Sequence, residues 1–230
     1  MRWLAAVALA GTMEARQVFS DLTTPVPVKP GDTVIAGFIG GWEPWNDERR
    51  GVRKLAHRLR GAGVHVDTIE NHQSRLAVEL IRKAFDFNQD GRLDASELDA
   101  ARVILYGQSL GGAAVARVAR QLDSLGVPVR LVVLVDSVGR DDSVIPANVA
   151  AAVNFYQRES WPVVGEPAIR AADPSRTRIL GSFRYHYRGK TADTSKEPLY
   201  RRIFGRSHLK MELDPELWAR VEEYIRKAME

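Results

Sequence analysis

The 230-residue chain contains no cysteine. Disulfide bridges, thiolate nucleophiles and cysteine-ligated zinc are therefore excluded. The compartment stays open on this ground, because a domain of this length can hold together by its core alone. The chain also lacks any run approaching the roughly 20 apolar residues that a membrane-spanning helix needs. A long basic block is missing too: Lys plus Arg number 33 against 29 for Asp plus Glu, and the small excess is spread as short pairs such as Arg49-Arg50 and Arg201-Arg202. Without a concentrated basic face, nucleic acid is not an expected partner. What is present in quantity is apolar side chain, 45% of the residues, enough for a sizeable core in one domain.

The first residues read MRWLAAVALAGTMEAR. Arg2 followed by the apolar run Trp3 to Ala10 resembles a short secretory signal. A small-residue cleavage pattern occurs at Ala8-Leu9-Ala10; Glu14-Ala15 is better placed but has Met13 where a small residue is preferred. The competing reading is a short N-terminal helix. The expectation is a leader over residues 1–22, one domain over 23–230, and a secreted or periplasmic location, with the cytoplasm still open. Proline-rich sequence from Asp21 to Asp32 predicts an extended linker into the domain.

From there, strand-like and helix-like patterns alternate. Strands are predicted at Thr33 to Phe38, Val64 to Ile69, Arg102 to Tyr106 and Val129 to Val135, with a further strand-like stretch near Arg178 to Tyr187. Amphipathic spacing predicts helices around Glu48 to Arg60, after Ser74, and from the Gly107–Gly112 turn to about Leu125. A last helix has Asp214 as N-cap and Pro215 at its first position. Such alternation predicts an α/β fold, a mostly parallel sheet with helices on both faces in three layers. The segment Ser143 to Arg176, with Phe155, Tyr156, Trp161 and several prolines, shows no clear period. It is expected to cap the site, with Trp42 and Trp45 lining the same pocket, or else to supply packing.

Gly107-Gln108-Ser109-Leu110-Gly111 is a G-x-S-x-G pattern, entered from an apolar strand and left by a small-residue helix. That is the setting of a nucleophile elbow. The Leu110 N–H, at the helix N-terminus, is placed to help stabilise an oxyanion. Serine needs a base, and five histidines are available. His57 and His65 read as surface or structural residues, His186 lies in a strand-like stretch, and His72 precedes the serine. His208, in a predicted loop before the last helix, is the expected base. The carboxylate that orients it is expected to be Asp136, at the end of a strong strand, with Asp193 as the runner-up.

With these residues in the order Ser109, Asp136, His208, the chain from about Thr33 onward resembles the α/β-hydrolase superfamily, with its serine esterases and lipases. The resemblance implies an acyl-enzyme mechanism on carboxyl esters or thioesters, with a small-molecule ester or lipid-like substrate. It also implies that Phe38, in IAGFIGG, supplies the second oxyanion N–H, although the histidine common in that loop is missing. An acyltransferase using the same triad is an alternative. So is a non-catalytic calcium-binding interaction protein on a hydrolase scaffold.

The stretch DFNQDGRLDASE supplies the calcium reading. Asp86, Asn88, Asp90, Gly91, Asp94 and Glu97 fall at positions 1, 3, 5, 6, 9 and 12 of an EF-hand-type loop, and Arg92 would offer its backbone carbonyl. The outgoing helix is short and no second loop is present to pair with it. The expectation is a structural Ca2+ site that braces the strand delivering Ser109, and not a regulatory switch.

Overall fold

Strand β1 (Thr33–Ile39) shows how these sequences choose their layers. Val34, Ala36 and Phe38 turn into one apolar cluster, while Ile35 and Ile39 turn into another. Alternation therefore sorts side chains between two cores, and both faces are apolar because both are covered. The computed structural model describes residues 16–159, 161, 163–195, 197, 202 and 206–230. The first fifteen residues of the expected leader, with both proposed cleavage patterns, lie outside the described residues, as do Ser160, Pro162 and Arg201.

One sheet holds β1, β2 (Val64–Glu70), β3 (Val103–Gln108), β4 (Val129–Val135), β6 (Val149–Tyr156) and β8 (Arg178–Arg184). Its order is β2-β1-β3-β4-β6-β8, and each of these pairings is parallel. The two-residue strands β5 (Val144–Ile145) and β7 (Arg170–Ala171) pair separately. Helices α2 (Ser74–Phe85) and α4 (Leu110–Asp123) contribute Ala77, Ile81, Val115 and Val118 to one core. The other core takes Val52 and Leu55 from α1 (Gly51–Leu59) and Trp218, Val221 and Ile225 from the last helix, Pro215–Met229. This is the predicted three-layer α/β fold.

The chain steps from β1 outward to β2, then crosses back to place β3 on the other side of β1. Loops leaving the C-terminal ends of β1 and β3 must therefore part in opposite directions, which opens a crevice at that point. Gly40 and Ser109 stand at these two strand ends.

Two local expectations need correction. The segment Ser143 to Arg176 is not a cap throughout, because β6 runs through it as an interior strand between β4 and β8. Its run Ala150-Ala151-Ala152 has little strand propensity, but pairing with β4 on one side and β8 on the other overrides propensity. Phe155 is accordingly a core residue, stacked on Phe183 at 5.6 Å between ring centroids. As expected, a short helix, α3 (Ala95–Ala100), follows the acidic loop. Second, the stretch expected as a linker is fastened to the sheet edge. Asp67 of β2 accepts from Thr23 N and Oγ1 (both 2.8 Å) and from Thr24 N (3.0 Å). Gln17, also buried, donates to Thr68 O and accepts from Glu70 N. The Gln17 bonds occupy backbone groups that an edge strand otherwise exposes.

Candidate active site

Ser109 sits between β3 and α4 with φ 58° and ψ −126°, a backbone conformation that L-residues rarely adopt. Its N–H donates to Val135 O at 3.0 Å, and its carbonyl accepts from Gly112 N and Val138 N. The flanking glycines are required by contact. A Cβ on Gly107 would lie 2.4 Å from Gly111 O, and one on Gly111 would lie 2.1 Å from Phe38 O. The sharp turn thus lifts the serine out of the sheet while strand and helix press together beneath it. Leu110 opens α4, so its N–H belongs to the first turn and has no intrahelical acceptor.

Asp136 follows β4 directly and is fully buried. His208 Nδ1 lies 2.6 Å from Asp136 Oδ2, across 72 residues of sequence. The carboxylate also accepts from Gln157 N at 3.0 Å and from Gln157 Nε2 at 2.9 Å. Gly165 packs against it so closely that a Cβ there would meet Asp136 Oδ1 at 2.1 Å. His208 is not in a loop: it lies on α5 (Arg206–Glu212), a one-to-two-turn helix before α6 (Pro215–Met229). Seven residues are too few to show a helical period in the sequence.

A Nδ1–H donated to Asp136 leaves a lone pair on Nε2, the form a general base requires. The present neighbour of Nε2 is the side-chain amide nitrogen of Gln108 at 3.2 Å. Ser109 Oγ is not hydrogen-bonded to the ring. Ligand-free sites often hold such pairs apart and close them on the substrate. Gln108, Gln157 and Gly165 were not identified from the sequence. Gln108 fills an x position of the G-x-S-x-G motif, which specifies no side chain there, whereas Gln157 and Gly165 belong to the segment without a clear period.

Phe38 requires correction as an oxyanion donor. It is fully buried in β1 and paired on both sides, with Ile69 and with Gly107. A strand flanked on both edges spends its N–H groups on the ladder. Nearer to the serine is the loop that follows: a Cβ on Gly40 would lie 2.9 Å from Ser109 Cβ and from Gln108 O. The missing side chain lets this backbone lie directly on the elbow.

Asp193 is exposed and accepts from Ser195 N at 3.0 Å, so the carboxylate that meets His208 is Asp136. The other histidines pair with different acids: His57 with Glu48, His65 with Asp32, His72 with Glu70 and His186 with Glu159. Trp45 carries the Arg53 guanidinium over its ring at 5.4 Å, whereas Trp42 and Trp161 are almost fully exposed.

In the acidic loop, side chains turn to the loop's own backbone. Asn88 Oδ1 accepts from Asp90 N, and Asp90 Oδ1 from Arg92 N. Asp94 caps α3 through Glu97 N. Glu97 is buried, with Oε1 accepting from Phe87 N and Asn88 N and Oε2 from Asp94 N. Asp86 Oδ2 accepts from Gly91 N at 3.0 Å, but its Oδ1 is buried with no hydrogen-bond partner among the described residues. Arg82 Nη1 donates to Gly91 O at 2.7 Å. Among the described residues, no three His, Asp or Glu side chains converge as a ready-made metal cage. No helix among them is long and apolar enough to cross a membrane.

No protein-family model matches the chain, and no curated protein matches it in sequence. Its backbone is similar to that of a cutinase-like protein from Cryptococcus sp., at 14% identity and a TM-score of 0.46, covering 86% of this chain and 95% of the other. It is also similar to the RedJ thioesterase of prodiginine biosynthesis in Streptomyces coelicolor (12% identity, TM-score 0.43, 96% and 99% covered). A third similarity is to a dienelactone hydrolase from Anabaena variabilis (15%, 0.39, 81% and 87%). Likenesses this distant transfer no chemistry.

Proposed function

We propose that the chain is a serine hydrolase of carboxyl esters or thioesters, with Ser109 as nucleophile, His208 as base and Asp136 as its orienting acid. The observation that carries this reading is the buried 2.6 Å contact between His208 Nδ1 and Asp136 beside a serine in elbow conformation. A structural aspartate at a turn has no need of a buried imidazole. In the first half-reaction Ser109 Oγ bonds to the acyl carbon and its proton passes to His208 Nε2. That proton then goes to the leaving alkoxide or thiolate as the bond to the acyl group breaks. Water, deprotonated by the same nitrogen, releases the acid and frees Ser109. Gln108 must yield Nε2 to the serine hydroxyl for the cycle to begin. The oxyanion receives the Leu110 N–H and, in place of Phe38, an N–H of the Gly40–Trp42 loop.

The test is a series of p-nitrophenyl esters of increasing acyl length, with one acyl thioester, on wild type and Ser109→Ala. Ser109-dependent turnover on at least one substrate is expected, falling on the order of 10⁴-fold or more in the variant. Its absence throughout sinks the reading in favour of a non-catalytic binding protein. Adding a primary alcohol as acceptor separates hydrolysis from acyl transfer, because a transferase forms the new ester in preference to free acid.

A structural Ca2+ at Asp86, Asn88, Asp90, Arg92 O, Asp94 and Glu97 is a second part of the proposal. It is supported by the partnerless buried oxygen of Asp86 and by a donor set made wholly of oxygen. Binding would require the loop carboxylates to exchange backbone partners for the ion. Single extracellular-type loops bind with dissociation constants of roughly 10⁻⁴ to 10⁻³ M. A tenfold to hundredfold excess then stabilises by about 1.4 to 2.7 kcal/mol. The expected result is a melting temperature raised by several degrees in Ca2+ and not in Mg2+, with no such shift in Asp86→Asn. Equal melting in Ca2+ and chelator overturns it.

A further inference from the structure

Arg50 is the N-cap of α1, and its side chain is 97% removed from solvent by the fold, being 3% exposed. Four carboxylates close on its guanidinium. Asp47 lies 2.9 Å from Nε, Glu197 3.1 Å from Nη2, Glu212 3.2 Å from Nη1 and Glu43 3.3 Å from Nη1. Burial works against the charge, but Glu212, Glu43 and Asp47 outweigh it and hold the guanidinium firmly protonated.

The origin of these acids is what gives the cluster meaning. Glu43 and Asp47 belong to the loop that leaves β1 and lies on Ser109 at Gly40. Glu212 ends α5, one helical turn beyond His208, and so lies on the same side of that helix. A helix of seven residues is too short to hold itself in place, so contacts must locate it. At its C-terminal end the Trp218 indole N–H donates to Glu212 O at 2.7 Å. The same indole fills the space beside Gly51, where a Cβ would come within 2.2 Å. Both the side chain and the carbonyl of Glu212 are thus tied to the first turn of α1. At the other end, Ser207 Oγ reaches Glu159 at 3.4 Å.

We propose that Arg50 is a positioning residue of the site: one guanidinium sets the loop over Ser109 and the helix bearing His208 in register, so that oxyanion donors and base meet the serine together. This rests on the hydrolase reading. The planar fork of arginine suits the task, since its donors point along fixed directions to acids from separate elements. Lysine keeps the charge and loses the fork. A displacement of about 1 Å at such a site costs roughly a hundredfold in rate.

The experiment compares wild type, Arg50→Lys, Glu212→Gln and the double variant on one short p-nitrophenyl ester, with melting temperatures and the rate at which a fluorophosphonate labels Ser109. Glu212→Gln keeps shape and removes charge, so it reports even if Arg50→Lys fails to fold. Expected is a tenfold to hundredfold fall in kcat and in labelling rate, with KM within about twofold. The double variant should lose no more than the worse single one. Glu212→Gln at wild-type kcat overturns the proposal, and so do losses that add in full. If wild type neither turns over nor labels, the hydrolase reading has failed. The tether is then judged by the His208 imidazole resonances, which must move in Glu212→Gln; unchanged resonances overturn it.

Discussion

Asp136 and Asp86 begin their loops alike, each following a regular element and each almost wholly buried. The difference is in what their oxygens meet. Both oxygens of Asp136 are engaged, by Gln157 twice and by His208. Asp86 satisfies one oxygen within its own loop and leaves Oδ1 buried without a hydrogen-bond partner among the described residues. An unpaired buried carboxylate oxygen is costly, on the order of 1–3 kcal/mol or more. One acid therefore reads as a completed protein site, fixed in orientation before any ligand arrives. The other has one oxygen that the loop leaves unsatisfied among the described residues.

The widest separation between the two should come from removing the negative charge. Asp136→Asn takes away the acceptor that fixes the His208 tautomer, and kcat is expected to fall on the order of 10⁴-fold. Asp86→Asn should leave kcat within about twofold in chelator while abolishing the melting response to Ca2+. A fall in kcat for Asp86→Asn in chelator as large as that for Asp136→Asn would erase the distinction between them. Steady-state kinetics and thermal melts on the same preparations decide it.

The glycines of the two loops offer a smaller effect of the same kind. Gly165→Ala would drive a methyl group to within 2.1 Å of Asp136 Oδ1, so the acid must shift and the imidazole with it. A tenfold to hundredfold loss in kcat is expected, in keeping with a displaced catalytic group. Gly91, at φ +86°, has almost open space around its Cβ position. Its alanine variant pays only for backbone conformation, about 1–2 kcal/mol. That amounts to a fall in melting temperature of roughly 2–8 °C, with kcat unchanged.

Much of this was legible before any coordinates. The buried strands β1, β3 and β4 are continuous apolar runs, and the elbow declares itself because glycine, serine and a strand-helix junction coincide. Asp136 was legible because it ends the strongest strand. His208 was legible as a residue but not as part of a helix, since α5 is too short to show a period. β6 was missed because its alanines have no strand character of their own; its neighbours decide. Phe38 was misassigned because counting along a motif does not show where the ladder stops and the loop starts. The partners of the site, Gln157 and Gly165, depend on contacts between distant segments, and a single sequence contains no signal for those.

A third acid, Asp47, tests how far the contrast between finished and unfinished sites extends, with the smallest effect of all. Burial tends to raise its pKa, but hydrogen bonds from Arg49 and Arg50 prevail and hold the carboxyl well below the usual range. Its folded-state pKa is depressed, so its stabilising contribution is complete above the unfolded value near 4 and is lost as pH falls below it. Asp47→Asn should therefore melt lower than wild type at neutral pH, by about 2–4 °C for a loss near 1 kcal/mol. As pH falls below 4 the gap between the two melting curves should narrow steadily, because the unfolded wild type then binds a proton that the folded carboxyl resists. If the gap stays constant through that range, the Asp47 carboxylate contributes no charge-dependent stability and the Arg50 cluster rests on its other three acids.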